Sequence, residues 1–126
     1  MCGNVVYKMI DSGVDVDCCG QQMQELIPST NDSGVEKHLP VVECGSDGQI
    51  KVKVGSMPHP MTQGHLIKFI YLETEHGGQV AHLSSGENPE AVFNICKDKP
   101  VAVYAYCNIH GLWKKNLTAD ECKNSH

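Results

Sequence analysis

The sequence predicts an all-β fold, either a sandwich or a barrel. Apolar and β-branched runs recur at short spacing along the chain, and several alternate between apolar and polar residues. Turn signals rich in Gly, Pro, Asn and Asp separate the runs, and no segment sustains a helical period. Strands at this density, divided by such turns, are typical of packed antiparallel sheets or of a closed barrel.

Six apolar runs are the candidate strands. The clearest is QIKVKV, in which Ile50, Val52 and Val54 would face the core while the two lysines face water. In chain order the runs are LPVVEC 39–44, QIKVKV 49–54, HLIKFIYLE 65–73, QVAHL 79–83, AVFNI 91–95 and VAVYAYC 101–107. The turns between them are GSDG 45–48, HGG 76–78, SSGENPE 84–90 and KDKP 97–100. The tail LTADECKNSH is predicted to form at most one short helical turn.

The first thirty residues differ from the rest because they contain few large apolar side chains. We predict that residues 1–30 form a small N-terminal appendage and that residues 31–126 form the main β domain. A chain of 126 residues is long enough for one domain with its own core.

Charge and hydropathy exclude two classes of partner. The net charge is −5 and the lysines are scattered, so the chain lacks the basic stripe that binds nucleic acid. No stretch is apolar for the roughly 20 residues of a membrane span, and no secretory signal pattern precedes the first strand. We therefore expect a cytoplasmic protein.

Seven cysteines and seven histidines form a large pool of possible metal ligands. In a reducing compartment such cysteines are more often ligands or buried thiols than disulfides. Cys44, Cys96 and Cys122 are interpreted as packing or surface thiols, with Cys96 in the core. His76 and His82 are interpreted as solvent-facing or hydrogen-bonded residues.

Five residues could carry chemistry together. They are His38 in EKHLP, His59 and His65 in HPMTQGH, and Cys107 and His110 in YCNIHGLW. Taken alone, Cys107-x-x-His110 fits a redox thiol, half of a zinc clip or part of a larger metal centre. Five converging ligands would overfill structural zinc, whereas iron accommodates five or six. Spacing in the sequence cannot show that these residues meet.

Three sequence blocks resemble the signatures of the superoxide reductases, the desulfoferrodoxin and neelaredoxin family. The blocks are EKHLP 36–40, KVKVGSMPHPMTQGHLIKFI 51–70 and YCNIHGLW 106–113. Their order, separations and flanking residues all agree, and the similarity covers roughly residues 35–115. The resemblance implies an immunoglobulin-like β-sandwich with a short desulforedoxin-like N-terminal appendage.

The same resemblance implies one non-haem iron per chain. Its four equatorial ligands would be the imidazoles of His38, His59, His65 and His110, and its axial ligand the Cys107 thiolate. The implied reaction is one-electron reduction of superoxide to hydrogen peroxide. The thiolate, opposite the open position, would donate electron density to the iron.

Two further residues take roles from the resemblance. Lys37 would attract superoxide and order a proton-delivering water, and Glu36 would ligate the oxidised iron. Backbone N–H groups of Ile109 and His110 would hydrogen-bond the Cys107 sulfur. Pro40, Pro60 and Trp113 would fix the ligand loops and shield the site.

The resemblance also implies partners: a rubredoxin-like electron donor, and a second or further copy of the chain in a homodimer or homotetramer. Relatives with a complete N-terminal domain hold a second iron with four cysteines, and only Cys2, Cys18 and Cys19 match them. We favour a vestigial segment over a site completed by another ligand or over a missing start. The alternative for the whole chain is a structural zinc module or a one-electron carrier.

Overall fold

The structure is a computed structural model that describes residues 4–30, 39–45, 48–55 and 59–117. The described part contains nine antiparallel strands and no α-helix. The strands are β1 Asp17–Cys18, β2 Gln21–Gln22, β3 Pro40–Cys44, β4 Gln49–Val54, β5 Ile67–Thr74, β6 Gly77–His82, β7 Glu90–Asn94, β8 Pro100–Cys107 and β9 Gly111–Asn116. The predicted all-β class is confirmed.

Two sheets form the body of the fold. One has the order β3-β4-β7 and the other the order β6-β5-β8-β9, while β1 and β2 form a separate hairpin. The core lies between the two sheets, where β4 residues such as Val52 meet β5 and β8 residues such as Leu72 and Val103. Burying these side chains stabilises the sandwich by roughly 1.5–3 kcal/mol each.

The alternation predicted for QIKVKV is confirmed. Ile50, Val52 and Val54 are buried, and Lys53 is exposed on the opposite face. The strand bounds of the other runs agree with the prediction to within two residues. The immunoglobulin-like topology stays a prediction, as does the boundary between residues 1–30 and 31–126. The predicted helical turn lies almost entirely outside the described residues.

The sequence did not indicate β9, which pairs with β8 along its whole length. Its residues from Gly111 to Lys115 are all half-buried, so no apolar and polar alternation marks it. The other edge of β9 is bonded to the N-terminal segment: Ser29 N–H donates to Leu112 O at 2.9 Å, and Lys114 N–H donates to Ser29 O at 2.9 Å. Ser29 therefore caps an edge that would otherwise be open to a further strand.

The N-terminal segment also touches the outer face of the larger sheet. The Tyr7 ring lies 5.9 Å from the Tyr71 ring, which in turn lies 6.1 Å from the Tyr104 ring. Most other residues of 4–27 are exposed, including Met9 and Ile10. This tyrosine cluster is therefore one of the points at which the N-terminal segment contacts the larger sheet.

Two cysteines differ from their predicted state. Cys44 is disulfide-bonded rather than a thiol. Cys96 is exposed rather than in the core, because its left-handed backbone, with φ of 54°, turns it out of the apolar run that precedes it. Among the described residues no helix has the length and apolar character to cross a membrane.

Candidate metal centre

The loop before β5 carries two histidines. His59 is buried, and its Nδ1 lies 2.8 Å from the Pro60 carbonyl oxygen. Because a carbonyl oxygen only accepts, Nδ1 carries the proton and Nε2 is the nitrogen with a lone pair. His65 is held by a short antiparallel bridge to Thr62, with backbone hydrogen bonds of 3.0 and 3.2 Å. The loop thus presents two imidazoles from a folded turn.

The end of β8 carries the cysteine and a third histidine. Cys107 pairs with Ile67 at the start of β5 and is fully buried. The chain then turns through Asn108 to Gly111, whose φ of 86° is readily available only to glycine. This turn brings His110 back so that its backbone N–H donates to the Cys107 Sγ at 3.4 Å. That contact confirms the predicted hydrogen bond from His110, and the one from Ile109 stays a prediction.

These four side chains form one cluster. One donor atom from each of His59, His65, Cys107 and His110 lies within 4.8 Å of those of the other three. The ring centres of His59 and His65 are 4.9 Å apart, and those of His65 and His110 are 5.0 Å apart. The Cys107 Sγ is 3.7 Å from the His110 Nδ1. The structure therefore brings together potential metal ligands that lie far apart in sequence.

Burial is graded across the cluster. Cys107 and His59 are on the core side, His65 is half-buried and His110 is exposed. A metal held by these residues would have its sulfur ligand shielded from water, while His110 would lie at the surface. Such an arrangement suits a small solute that approaches from solvent.

The donor set fits a transition metal. Imidazole suits zinc, copper, iron and nickel, and a thiolate adds preference for the softer ions. The four described donors alone would complete a tetrahedral zinc site, and a fifth ligand would favour iron. The fifth predicted ligand, His38, lies outside the described residues, as do Glu36 and Lys37.

The ends of the segment that contains these three residues are described. Ser29 is bonded to β9 beside the His110 turn, and the Leu39 carbonyl oxygen accepts from Gly55 N–H at 3.0 Å, four residues before His59. These contacts place Ser29 near the His110 turn and Leu39 next to Gly55. His38 is the residue that directly precedes Leu39.

A second group of possible donors lies at the other end of β5. Glu75, His76 and Asp98 also have donor atoms within 4.8 Å of one another. Here the His76 Nδ1 lies 2.9 Å from the Asp98 Oδ1, and hydrogen bonding to Asp98 raises the pKa of His76. Hydrogen bonds from Thr74 and His76 lower the pKa of Asp98 to about 2. We interpret the group as an exposed ion pair that joins two turns, in agreement with the hydrogen-bonded role predicted for His76.

The fold and the site define a class, that of all-β proteins with a mixed nitrogen and sulfur metal site. Within it, the chain belongs to the desulfoferrodoxin family, since the family model Desulfoferrodoxin matches residues 30–116. The predicted family is confirmed.

Individual relatives agree. A desulfoferrodoxin of Syntrophotalea carbinolica is 43% identical over 113 residues, which cover 90% of this chain and 88% of that protein. A superoxide reductase of Pyrococcus abyssi is 39% identical over 99 residues, covering 65% of this chain and 86% of that protein. The crystal structure of the superoxide reductase from Treponema pallidum has a TM-score of 0.74 at 35% identity, covering 87% of this chain and 91% of that chain.

Proposed function

We propose that the chain is a superoxide reductase, which converts superoxide, one electron and two protons into hydrogen peroxide. The convergence of three imidazoles and one buried thiol in a single cluster carries this proposal. The family relationship supports it, because relatives of the chain bear the name superoxide reductase. Bound iron would supply the electron by cycling between its ferrous and ferric states.

The ligands proposed are those of the sequence prediction. His59, His65 and His110 would bind one iron together with His38, and Cys107 would provide the thiolate. With neutral imidazoles and one thiolate, a ferrous site carries a net charge near +1, which attracts an anion. The His110 N–H bond to the Cys107 sulfur stabilises the thiolate and moderates its electron donation.

Lys37 and Glu36 complete the proposed site at its solvent side. A lysine at the mouth would attract superoxide locally although the whole protein is acidic, and it would order a water that delivers a proton. Glu36 would offer a carboxylate ligand to the oxidised iron. An external one-electron donor of the rubredoxin type would reduce the site again.

The remaining proposals concern organisation. We propose that residues 1–30 form a vestigial desulforedoxin-like segment and that residues 31–126 form the catalytic domain. In the segment, the Cys18 and Cys19 Sγ atoms are 3.6 Å apart. A homodimer or homotetramer in the cytoplasm is the proposed working state. One iron per chain would support the vestigial interpretation, and two would overturn it.

Stopped-flow mixing under anaerobic conditions tests the activity. Reduced wild-type protein should consume superoxide much faster than free ferrous iron, whereas His65→Ala should not. His82→Ala is the control, because His82 is an exposed histidine on β6 that does not belong to the cluster. A wild-type rate equal to that of free ferrous iron would remove the assignment.

A second mixing experiment tests Lys37. Lys37→Ala should slow the bimolecular step and weaken its dependence on salt, because screening acts on the attraction that Lys37 provides. Lys97→Ala, which removes an exposed lysine from the turn after β7, is the control for net charge. An unchanged rate in Lys37→Ala would exclude Lys37 from the mechanism.

A zinc module or one-electron carrier is the second candidate, because the four described donors match a complete zinc site. Metal content and optical spectra separate the two functions. A thiolate-ligated ferric centre absorbs visible light, whereas zinc gives a colourless protein. Zinc can displace iron during production, so the iron-reconstituted protein is the sample to measure.

A further inference from the structure

The Asn108 side chain makes hydrogen bonds on both sides of His65. Its Oδ1 accepts from the Leu66 backbone N–H at 2.9 Å, and its Nδ2 donates to the Gly64 carbonyl oxygen at 3.1 Å. Gly64 and Leu66 are the two chain neighbours of His65. The Asn108 carboxamide therefore bonds to the chain on both sides of the proposed ligand His65. In sequence, Asn108 directly follows a second proposed ligand, Cys107.

Asn108 performs this role because the β5–β8 ladder ends there. The last pair is Ile67 with Cys107, and the next step would place Leu66 opposite Asn108. Asn108 N–H does donate to the Leu66 carbonyl oxygen at 3.2 Å, as that step requires. The return bond from Leu66 N–H goes to the side-chain oxygen instead of the main-chain oxygen. The side chain thus replaces a backbone acceptor, and the backbone is able to turn towards His110.

The hydrogen bonds that Thr62 makes within the His65 loop do not connect the loop to β8. Thr62 bonds the His65 carbonyl oxygen through its N–H and its hydroxyl, but these bonds lie within a span of three residues. The Asn108 bonds join segments more than forty residues apart in sequence. The two Asn108 side-chain bonds, together with the Asn108 N–H bond to the Leu66 carbonyl oxygen, fix the backbone on both sides of His65 relative to Cys107.

We propose that Asn108 is a positioning residue of the metal centre, which sets the separation between the His65 loop and the Cys107–His110 turn. The inference rests on the proposed function for the identity of the ligands. We call the two side-chain bonds of Asn108, from Leu66 N–H and to the Gly64 carbonyl oxygen, the Asn108 clamp. Asparagine is specific here because the clamp needs one acceptor and one donor on the same planar group. Aspartate lacks the donor, and leucine lacks both.

Cobalt binding tests the proposal without reference to superoxide. Metal-free wild-type protein, Asn108→Asp and Asn108→Leu are titrated with Co²⁺ against a competing chelator, and the thiolate-to-cobalt absorption band is recorded. We expect Asn108→Leu to bind roughly 10-fold more weakly, with a shifted band, and Asn108→Asp to lie between it and the wild type. Hydrogen exchange at the Leu66 amide should be fast in Asn108→Leu and slow in Asn108→Asp, which keeps the acceptor.

Two control variants distinguish a positioning role of Asn108 from a general loss of stability or a change of net charge. Thr62→Val removes one of the two bonds that Thr62 donates to the His65 carbonyl oxygen, and it should keep the wild-type affinity and band. Asn94→Asp makes the same change of charge on β7, where Asn94 borders a cavity together with Thr74 at the far end of β5. Urea unfolding of the metal-free proteins identifies a variant that does not fold, and the Asp variant is then the decisive one.

The outcomes distinguish this proposal from the function on which it rests. Wild-type cobalt affinity and an unchanged band in both Asn108 variants would overturn the clamp, while leaving the proposed reductase in place. Failure of the wild type to bind cobalt through Cys107 would instead overturn the metal centre. Equal weakening by Thr62→Val and Asn108→Leu would also contradict the proposal, because local bonds would then suffice.

Discussion

Gly78 on β6 offers a sharp test of how the outer face of the larger sheet is packed. The Tyr71 side chain crosses it, so a Cβ atom at Gly78 would lie 2.5 Å from the Tyr71 Cζ and 3.0 Å from the Leu72 carbonyl oxygen. The neighbouring Gly77 has no heavy atom within 4 Å of the corresponding position. Gly78→Ala and Gly77→Ala are therefore a matched pair that differs only in what the methyl group meets.

The expected difference follows from these contacts. In Gly78→Ala the Tyr71 ring must move by roughly 1 Å, and such overpacking costs about 1–3 kcal/mol. The ring would also lose part of its packing against Tyr7 and Tyr104, which is worth about 0.5–1.5 kcal/mol for each pair. In either variant, the lower conformational entropy of the unfolded chain stabilises the folded state by about 0.4–1 kcal/mol. We expect Gly78→Ala to lose roughly 1–3 kcal/mol and Gly77→Ala to gain up to about 1 kcal/mol.

Urea unfolding of both variants under identical metal loading measures this difference. Limited proteolysis adds a local readout, because displacement of Tyr71 should expose the segment around Tyr7 to cleavage in Gly78→Ala alone. Equal stability of the two variants would refute the reasoning and would mean that the Tyr71 ring has space to move. The rate with superoxide should be unchanged in both, since neither glycine belongs to the His and Cys cluster.

Three further predictions concern charge, metal and core. Because Asp98 raises the pKa of His76, the ion pair stabilises the fold below pH ~6.5 and is lost as pH rises through the raised pKa. The stability difference between wild type and His76→Gln should therefore shrink from pH 6 to pH 9. At low pH the pair persists until pH falls through the lowered pKa of Asp98, about 2. Removal of the metal by a chelator should lower the unfolding free energy by about 2.7 kcal/mol, relative to protein with free metal at 100 times its dissociation constant. Calorimetry would measure this difference in the wild type, and it should be absent in His65→Ala. Leu72→Ala, at a fully buried position, should cost about 3–5 kcal/mol by urea unfolding, and a cost below 1 kcal/mol would contradict the sandwich core.

Sequence patterns predicted strands whose side chains alternate between core and solvent, such as β4, and missed β9, whose side chains do not alternate. The alternation around Val52 is clear because β4 has the core on one side and solvent on the other. In β9 the residues from Gly111 to Lys115 are all half-buried and Asn116 is exposed, so the burial of its side chains shows no period of two. The same limit applies to Cys96, whose position depends on a left-handed backbone beside Gly48 rather than on the apolar run before it.

The candidate site was predictable in its residues but not in its assembly. The resemblance of three motifs named His59, His65, Cys107 and His110, and the structure brings these four together. Spacing alone could not do so, because the cluster depends on the pairing of β5 with β8. Asn108 was not singled out, although an asparagine directly after a strand-ending cysteine is a signal that a side chain could close the ladder.

The pairing of β5 with β8 also explains an irregular part of the sequence. Ile67 and Ile70 are three residues apart, so a regular strand would place them on opposite faces. Both are fully buried, because the register shifts between Ile67 and Phe69 and leaves Lys68 as an extra, exposed residue.

This bulge determines which face of the sheet the side chains before Phe69 point to. Ile67 returns to the core opposite the buried Cys107, and Leu66 comes opposite Asn108, where the clamp forms. Without the extra residue, the chain before Phe69 would be turned to the other face and His65 would leave the Cys107 side of the sheet. The run LIKFI, which breaks the strand period, is thus the local sequence that places one imidazole beside the thiol.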